Sequence, residues 1–164
     1  MSRRSRAREV ALQMLYQKEQ NAKIDRTALE RFAQDRLREE TIRAFCMSLF
    51  DGVLANLAPI DAKLSAAAEN WRLTRMAAVD RNILRLGAYE LLFMKETPAA
   101  VTFDEAIELA RRFGTSDSSA FVNGVLDRLR REAAEQPSGV GNQESEVRSQ
   151  ESGVRGQESG GRSV

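Results

Sequence analysis

Three features of the sequence predict an all-α fold, a bundle of about seven helices. Apolar residues recur at spacings of three and four from the first turns of the chain to about residue 129. No stretch alternates apolar and polar residues with the period of two that marks a half-buried strand. Caps and turn formers fall between the periodic segments and leave only short links, as a helical bundle requires.

The first helix carries Ala7, Val10, Ala11, Met14 and Leu15 on one face, and its expected start is near Ser5. Arg3 and Arg4 would then lie on a short arm ahead of it. A second helix starts at Asp25, an acceptable N-cap, and carries Leu29, Phe32, Ala33 and Leu37. The third has the strongest stripe, Ile42, Phe45, Cys46, Leu49, Phe50, Val53 and Leu57, and Pro59 marks its end. A short Ala-rich helix follows, from Ile60 to about Asn70.

The fifth helix runs from about Thr74 to Lys95, and apolar residues cover more than half its circumference. It should therefore be central, with Gly87 letting a neighbour approach closely. Thr102 and Glu105 form a capping box for the sixth, Val101 and Ala106 a hydrophobic staple, and Gly114 its stop. The seventh is capped by Asp117 or Ser118 and carries Phe121, Val122, Val125, Leu126 and Leu129. Gly124 inside it costs about 1 kcal/mol relative to Ala, which suggests close packing there.

The folded domain spans residues 1–135. Residues 136–164 read as a disordered tail: "QESEVRS", "QESGVRG" and "QESGGRS" repeat a seven-residue unit with at most one apolar residue each. A coiled coil needs two per heptad, and this composition cannot offset its own ordering entropy.

Composition excludes several function classes. The chain has no histidine, so the commonest general base and metal ligand is absent. One cysteine, Cys46, permits no intramolecular disulfide and no multi-cysteine zinc site. There is no phosphate-cradling Gly-rich loop and no nucleophile–base pair. The expectation is a protein that is not an enzyme, with no catalytic residue, no metal and no cofactor. No apolar run reaches the length of a membrane span or a signal peptide, so the expected location is the cytoplasm, with no membrane partner.

The net charge is only +1, so any nucleic-acid site must rest on where charge is placed. Arg3, Arg4, Arg6 and Arg8 crowd one tip. Cations at a helix N-terminus oppose the macrodipole, so helix stability does not explain them. By helical spacing Arg6, Glu9, Gln13 and Tyr16 share the face opposite the core stripe. Guanidinium groups grip phosphate and a solvent-side tyrosine offers a stacking platform, a pattern suited to single-stranded RNA. A merely solvated basic terminus fits the same residues.

Other residues keep two readings as well. Asp80 flanks the fifth helix's apolar face while Arg81 and Arg85 point outward, as a solvated surface or a protein–protein patch. In "DSSAFVNG", residues 117–124, a helix N-terminus suits an anion, or simply a cap and a core Phe121. Glu90 falls in the middle of the fifth helix's apolar face, so it must accept hydrogen bonds from a helix N-terminus or an arginine. Cys46 is expected to be an inert core thiol.

"SRAREVALQMLYQ", "DRNILRLGAYEL" and "TFDEAIELARRFGTSDSSAFVNGVLDRL", in that order, resemble the bacterial NusB family of transcription antitermination factors. The resemblance covers residues 3 to about 133. It implies two perpendicular three-helix bundles and a non-catalytic adaptor. It also implies partnership with the ribosomal protein NusE, binding of boxA RNA in ribosomal RNA transcripts, and indirect contact with other Nus factors and RNA polymerase. By position, Arg4, Arg6, Arg8, Tyr16, Asp117, Ser118 and Phe121 match the family's RNA-binding residues. Asp80, with Arg81 and Arg85 beside it, matches the NusE-facing surface. Ser5 departs from the family by interrupting the arginine run. Two rival expectations remain: a homodimer that covers the arginine tip, and an isolated RNA-targeting domain like that of ribosomal RNA cytosine methyltransferases.

Overall fold

The computed structural model describes residues 2–69 and 71–135, and they form seven α-helices and one 3-10 turn. The helices are α1 (Arg3–Gln20), α2 (Arg26–Arg36), α3 (Glu40–Ala55), α4 (Leu57–Ala67), α5 (Ala78–Phe93), α6 (Ala99–Phe113) and α7 (Ser118–Glu135). The 3-10 turn, Leu73–Arg75, sits ahead of α5. No strand occurs among the described residues. The repetitive tail lies outside them. The chain forms one compact unit up to Arg130, and the described start of a second, residues 131–135, is helical.

The stripes read from the sequence make the core. Helices α1, α2 and α3 pack on one another, burying Val10, Met14, Leu29, Cys46, Leu49 and Phe50. Helix α5 is central, packing against α1, α3, α4 and α6. Its Gly87 allows the expected close approach: an added Cβ would lie 2.9 Å from a methyl of Leu126 on α7. Gly52 on α3 is tighter still, since a Cβ there would fall within the Tyr89 ring.

Several boundaries differ, each for a local reason. Helix α1 begins at Arg3, because the Ser2 side chain accepts the Ser5 N–H as an N-cap. Arg3 and Arg4 are therefore the first helical turn, not an arm. Pro59 does not end α3. It lies in the first turn of α4, where its missing N–H has no helical partner to lose, and the two helices meet at 76° around Asn56. The α5 segment splits into the 3-10 turn and a helix starting at Ala78. The Thr102–Glu105 capping box does not form, because α6 already starts at Ala99 after Pro98. Thr102 is buried, its hydroxyl without a hydrogen-bond partner among the described residues.

Gly114 ends α6 with φ −93°, outside the left-handed region. It is small for want of space: a Cβ would lie 2.5 Å from that of Ser118. Gly124 is the reverse case. Nothing lies within 4 Å of an added Cβ, so packing does not explain it.

No single helix among the described residues is long and apolar enough to cross a membrane. The bent pair α3–α4 has the composition, but its apolar residues fill the protein core.

Candidate nucleic-acid interface

The basic tip divides into an inner and an outer part. Arg8 is 2% exposed and points inward. Its Nε and Nη2 donate to both oxygens of Glu90 at 2.7–3.0 Å, and Glu105 lies 3.8 Å from its Nη1. This supplies the arginine that Glu90 was expected to need. It also corrects the placing of Arg8 among phosphate-gripping residues, because a guanidinium sealed on both sides presents no donor to solvent. Ser5 belongs to the same inner network, donating to Glu105 at 2.5 Å. An arginine in its place would have to displace that contact.

Arg4 and Arg6 make the outer part. Arg4 is exposed and stacks over the Phe45 ring at 4.5 Å from its centroid. Arg6 is half-exposed and pairs with Glu9 at 2.9 Å. Glu9 is buried and also accepts from Arg112, so one carboxylate faces two guanidinium groups. The expected polar face of α1 is thus partly covered at Glu9. Arg3, paired with Glu39 at 2.8 Å, and Arg6 border a groove of about 400 Å³ with Arg36 and Arg38. Four arginines around one carboxylate make an anion-attracting trough. Arg36 and Arg38 were missed in the sequence; their signal was the cluster "DRLREE" closing the second helix.

Arg36 also borders a second groove, of about 340 Å³, with Gln13, Tyr16, Phe32 and Phe113. Tyr16 is 42% exposed, as a stacking platform must be. The guanidinium of Arg36 sits 3.5 Å over the Phe32 ring. Cation and aromatics therefore alternate from the tip of α1 toward its second half.

At the start of α7, Asp117 is exposed, while Ser118 is 1% exposed. The Ser118 hydroxyl accepts the Thr115 N–H at 2.9 Å and closes the loop after α6. This corrects its assignment as an RNA-contacting residue: its one side-chain oxygen faces its own loop. Phe121 is partly buried and meets Trp71 edge to face, centroids 6.1 Å apart.

The patch around Asp80 is built differently from the expectation. Arg81 and Arg85 do not point freely outward; their side chains are 14% and 13% exposed. Arg81 donates to Glu19 and to the carbonyls of Leu73 and Met76 at 2.8 Å. Arg85 donates to both oxygens of Asp61 at 2.9 Å and to Glu19. The Arg81 hydrogen bond, with the charges of Arg81 and Arg85, holds the Glu19 carboxyl below its ordinary value against the opposing effect of burial. For Arg85, burial works against the charged form, but Asp61 and Glu19 outweigh it and raise the pKa. The network ties α1, α4 and the 3-10 turn to α5. Asp80 Oδ1 is buried and finds no hydrogen-bond partner among the described residues.

No group of histidine, cysteine or acidic side chains among the described residues could hold a metal ion.

The model of the NusB family matches residues 5–131. A transcription antitermination protein NusB from Sorangium cellulosum is 46% identical over 79% of this chain and 92% of its own length. One from Elusimicrobium minutum is 44% identical over 80% and 96%. Among solved structures, NusB of T. maritima superposes with a TM-score of 0.71 at 41% identity, covering 80% of this chain and 92% of that one. A structure of the antitermination factors NusB and NusE in complex with dsRNA gives a TM-score of 0.73 at 23% identity over 80% and 98%, and supports the fold. By the span of the family match and the identity to these relatives, the chain belongs to the NusB family.

Proposed function

We propose that this chain is a non-catalytic transcription antitermination adaptor. It binds a single-stranded boxA-type element of ribosomal RNA transcripts together with NusE, in the compartment where RNA is made. The observation that carries the reading is the arginine trough at the start of α1, in a chain of the NusB family whose net charge is only +1. Four arginines fall within the first eight residues. Beside these arginines and Arg36 lie Tyr16, which is exposed, and the partly buried rings of Phe32 and Phe45.

In this reading Arg4 and Arg6, with Arg36 and Arg38, hold phosphates. Tyr16 stacks an unpaired base, and Asp117 and Phe121 extend the contact onto α7. Arg8 and Ser118 are positioning residues, fixing the first turns of α1 and the loop before α7. The NusE-facing surface is centred on Asp80. Arg81 and Arg85 hold the start of α5 through Glu19, Asp61 and the 3-10 turn, so that Asp80 is presented in a fixed frame. So few phosphate contacts give weak, salt-sensitive binding, and a second protein that touches both RNA and this chain raises affinity by linkage.

The test is fluorescence anisotropy of a labelled boxA RNA titrated with the protein, with and without NusE. A scrambled RNA and the Arg4→Ala/Arg6→Ala variant serve as controls. Tighter binding of boxA than of scrambled RNA, strengthened by NusE and weakened by the double variant, is the expected result. Equal binding of both RNAs, or none, overturns the reading.

A further inference from the structure

Trp71 is the most exposed large apolar side chain among the described residues, at 59%, and the only tryptophan of the chain. Its ring meets Phe121 edge to face and more than half of the residue stays open to solvent. Leu73, two residues on, is the buried anchor of the segment, and Arg81 pins that residue's carbonyl at 2.8 Å. The indole is thus held on a fixed turn with much of its surface in solvent.

Two clefts meet at this indole. One, of about 250 Å³, lies between the end of α4 and α7 and is lined by Ala68, Trp71, Phe121, Gly124 and Arg128. The other carries Arg72 and Thr74 beside Arg81 and Arg85; its carboxylates, Glu19, Asp61 and Glu69, are each paired with an arginine other than Arg72. Gly124 weakens α7 by about 1 kcal/mol relative to alanine, yet a Cβ there would meet nothing within 4 Å. A helical glycine without an internal reason suits the close approach of something from outside. Arg72 and Arg75 are exposed and have no ion-pair partner among the described residues. Arg128, by contrast, is paired with Glu69 at 2.8 Å.

We infer that the cleft between Trp71 and Gly124 takes one unpaired nucleobase of a single-stranded RNA, stacked on the indole. The adjoining phosphate faces Arg72, which shares a cleft with the indole, and Arg75 follows at the end of the same turn. The charge pattern favours RNA over a protein: an exposed aromatic followed in the chain by two exposed arginines without ion-pair partners among the described residues suits a base and its backbone. The edge-to-face contact with Phe121 makes the cleft continuous with the α7 end of the interface proposed above, and the inference rests on that RNA reading. It lengthens the RNA path beyond the arginine trough to a second, separate anchor.

Because Trp71 is the single tryptophan, its emission reports on the cleft directly. Unlabelled boxA RNA extended by several nucleotides at each end is titrated while tryptophan emission is read. Anisotropy of the same RNA carrying a label follows binding in parallel. The expected result is quenching that saturates with binding. Trp71→Ala should weaken binding about tenfold and Trp71→Phe much less. Gly124→Leu should raise thermal stability while weakening RNA binding, two effects that a purely structural glycine would not combine.

If RNA binds through Arg4 and Arg6 but leaves the emission unchanged, and Trp71→Ala and Gly124→Leu bind normally, the inference is overturned and the RNA reading stands. Quenching by NusE alone, with none by RNA, overturns it in favour of a protein-docking cleft. No RNA binding in any form removes both.

Discussion

Arg8 on α1 and Glu90 on α5 meet in a bidentate ion pair that is almost wholly shielded from solvent, each side chain no more than 3% exposed. Phe45 covers the guanidinium from one side at 5.3 Å. Such a pair is costly to desolvate, so its net worth is small, but losing one partner leaves a bare buried charge. Glu90→Gln should therefore destabilise the protein by about 3 kcal/mol or more. Arg8→Met combined with Glu90→Leu should recover most of that loss. Urea unfolding of the three proteins checks both; a single variant no worse than the double would sink the account.

The same double variant separates Arg8 from the outer arginines in RNA binding. For single strands, each phosphate contact contributes about 0.7 to the slope of log K against log salt. Arg4→Ala/Arg6→Ala should lower that slope by roughly 1.4, while Arg8→Met/Glu90→Leu should leave it unchanged. An equal fall in both would return Arg8 to the phosphate-binding set.

The glycines of α3, α5 and α7 should respond in opposite directions. Gly52→Ala drives a methyl into the Tyr89 ring, and Gly87→Ala presses on Leu126. Overpacking of this kind costs about 1–3 kcal/mol, more at Gly52, where a ring rather than a flexible methyl must move. Gly124→Ala meets no atom and gains helix propensity, so it should stabilise by up to about 1 kcal/mol. Thermal melts of the three variants test the order Gly124→Ala above native, then Gly87→Ala, then Gly52→Ala.

Which of these features the sequence carries depends on how far apart the interacting residues lie. The apolar stripes are local, and every helix they marked is present. The need of Glu90 for an arginine was also local, since a carboxylate in the middle of an apolar face has few ways to be satisfied. Which arginine would answer was not. Arg4 and Arg8 are one turn apart and both cover Phe45, and only the arrival of α5, 82 residues away, buries one and spares the other. The outward pointing assigned to Arg81 and Arg85 failed for the same reason, because Glu19 and Asp61 come from other helices. The capping box at Thr102 was a valid local pattern overridden by an earlier start at Pro98. Trp71 carried a readable signal, an aromatic followed closely by two arginines in "WRLTR", but its exposure is a tertiary fact.

Acid should expose the Glu19 network. The native carboxyl titrates below its ordinary value of 4.5, with the Arg81 hydrogen bond as the largest cause. A lowered acid contributes stability that is present above its unfolded value and lost as pH falls through the native one. Native protein should thus be more stable than Glu19→Gln at pH 6–8, and the gap should close as pH falls below about 4.5. Melting temperatures of both proteins across that range check it; a gap independent of pH would mean that the charge of Glu19 contributes nothing.

Cys46 should behave in the opposite sense. Burial, with a smaller push from the charge of Asp51, raises its thiol to about 12, against 9.0 when unperturbed. The thiol is wholly enclosed, with its sulfur 3.8 Å from that of Met14. Nucleophilic attack needs the thiolate, and the native site both withholds the proton's departure and blocks the reagent. At pH 8 a disulfide reagent should leave the folded protein unmodified and label one thiol per chain once guanidinium unfolds it. The raised pKa also has a stability consequence: the neutral form is favoured in the native state, so stability should fall as pH rises above about 9, where the unfolded thiol ionises. Cys46→Ala should lose that alkaline component. Rapid labelling of the native protein at neutral pH would show that the helix packing around Cys46 opens far more readily than its burial implies.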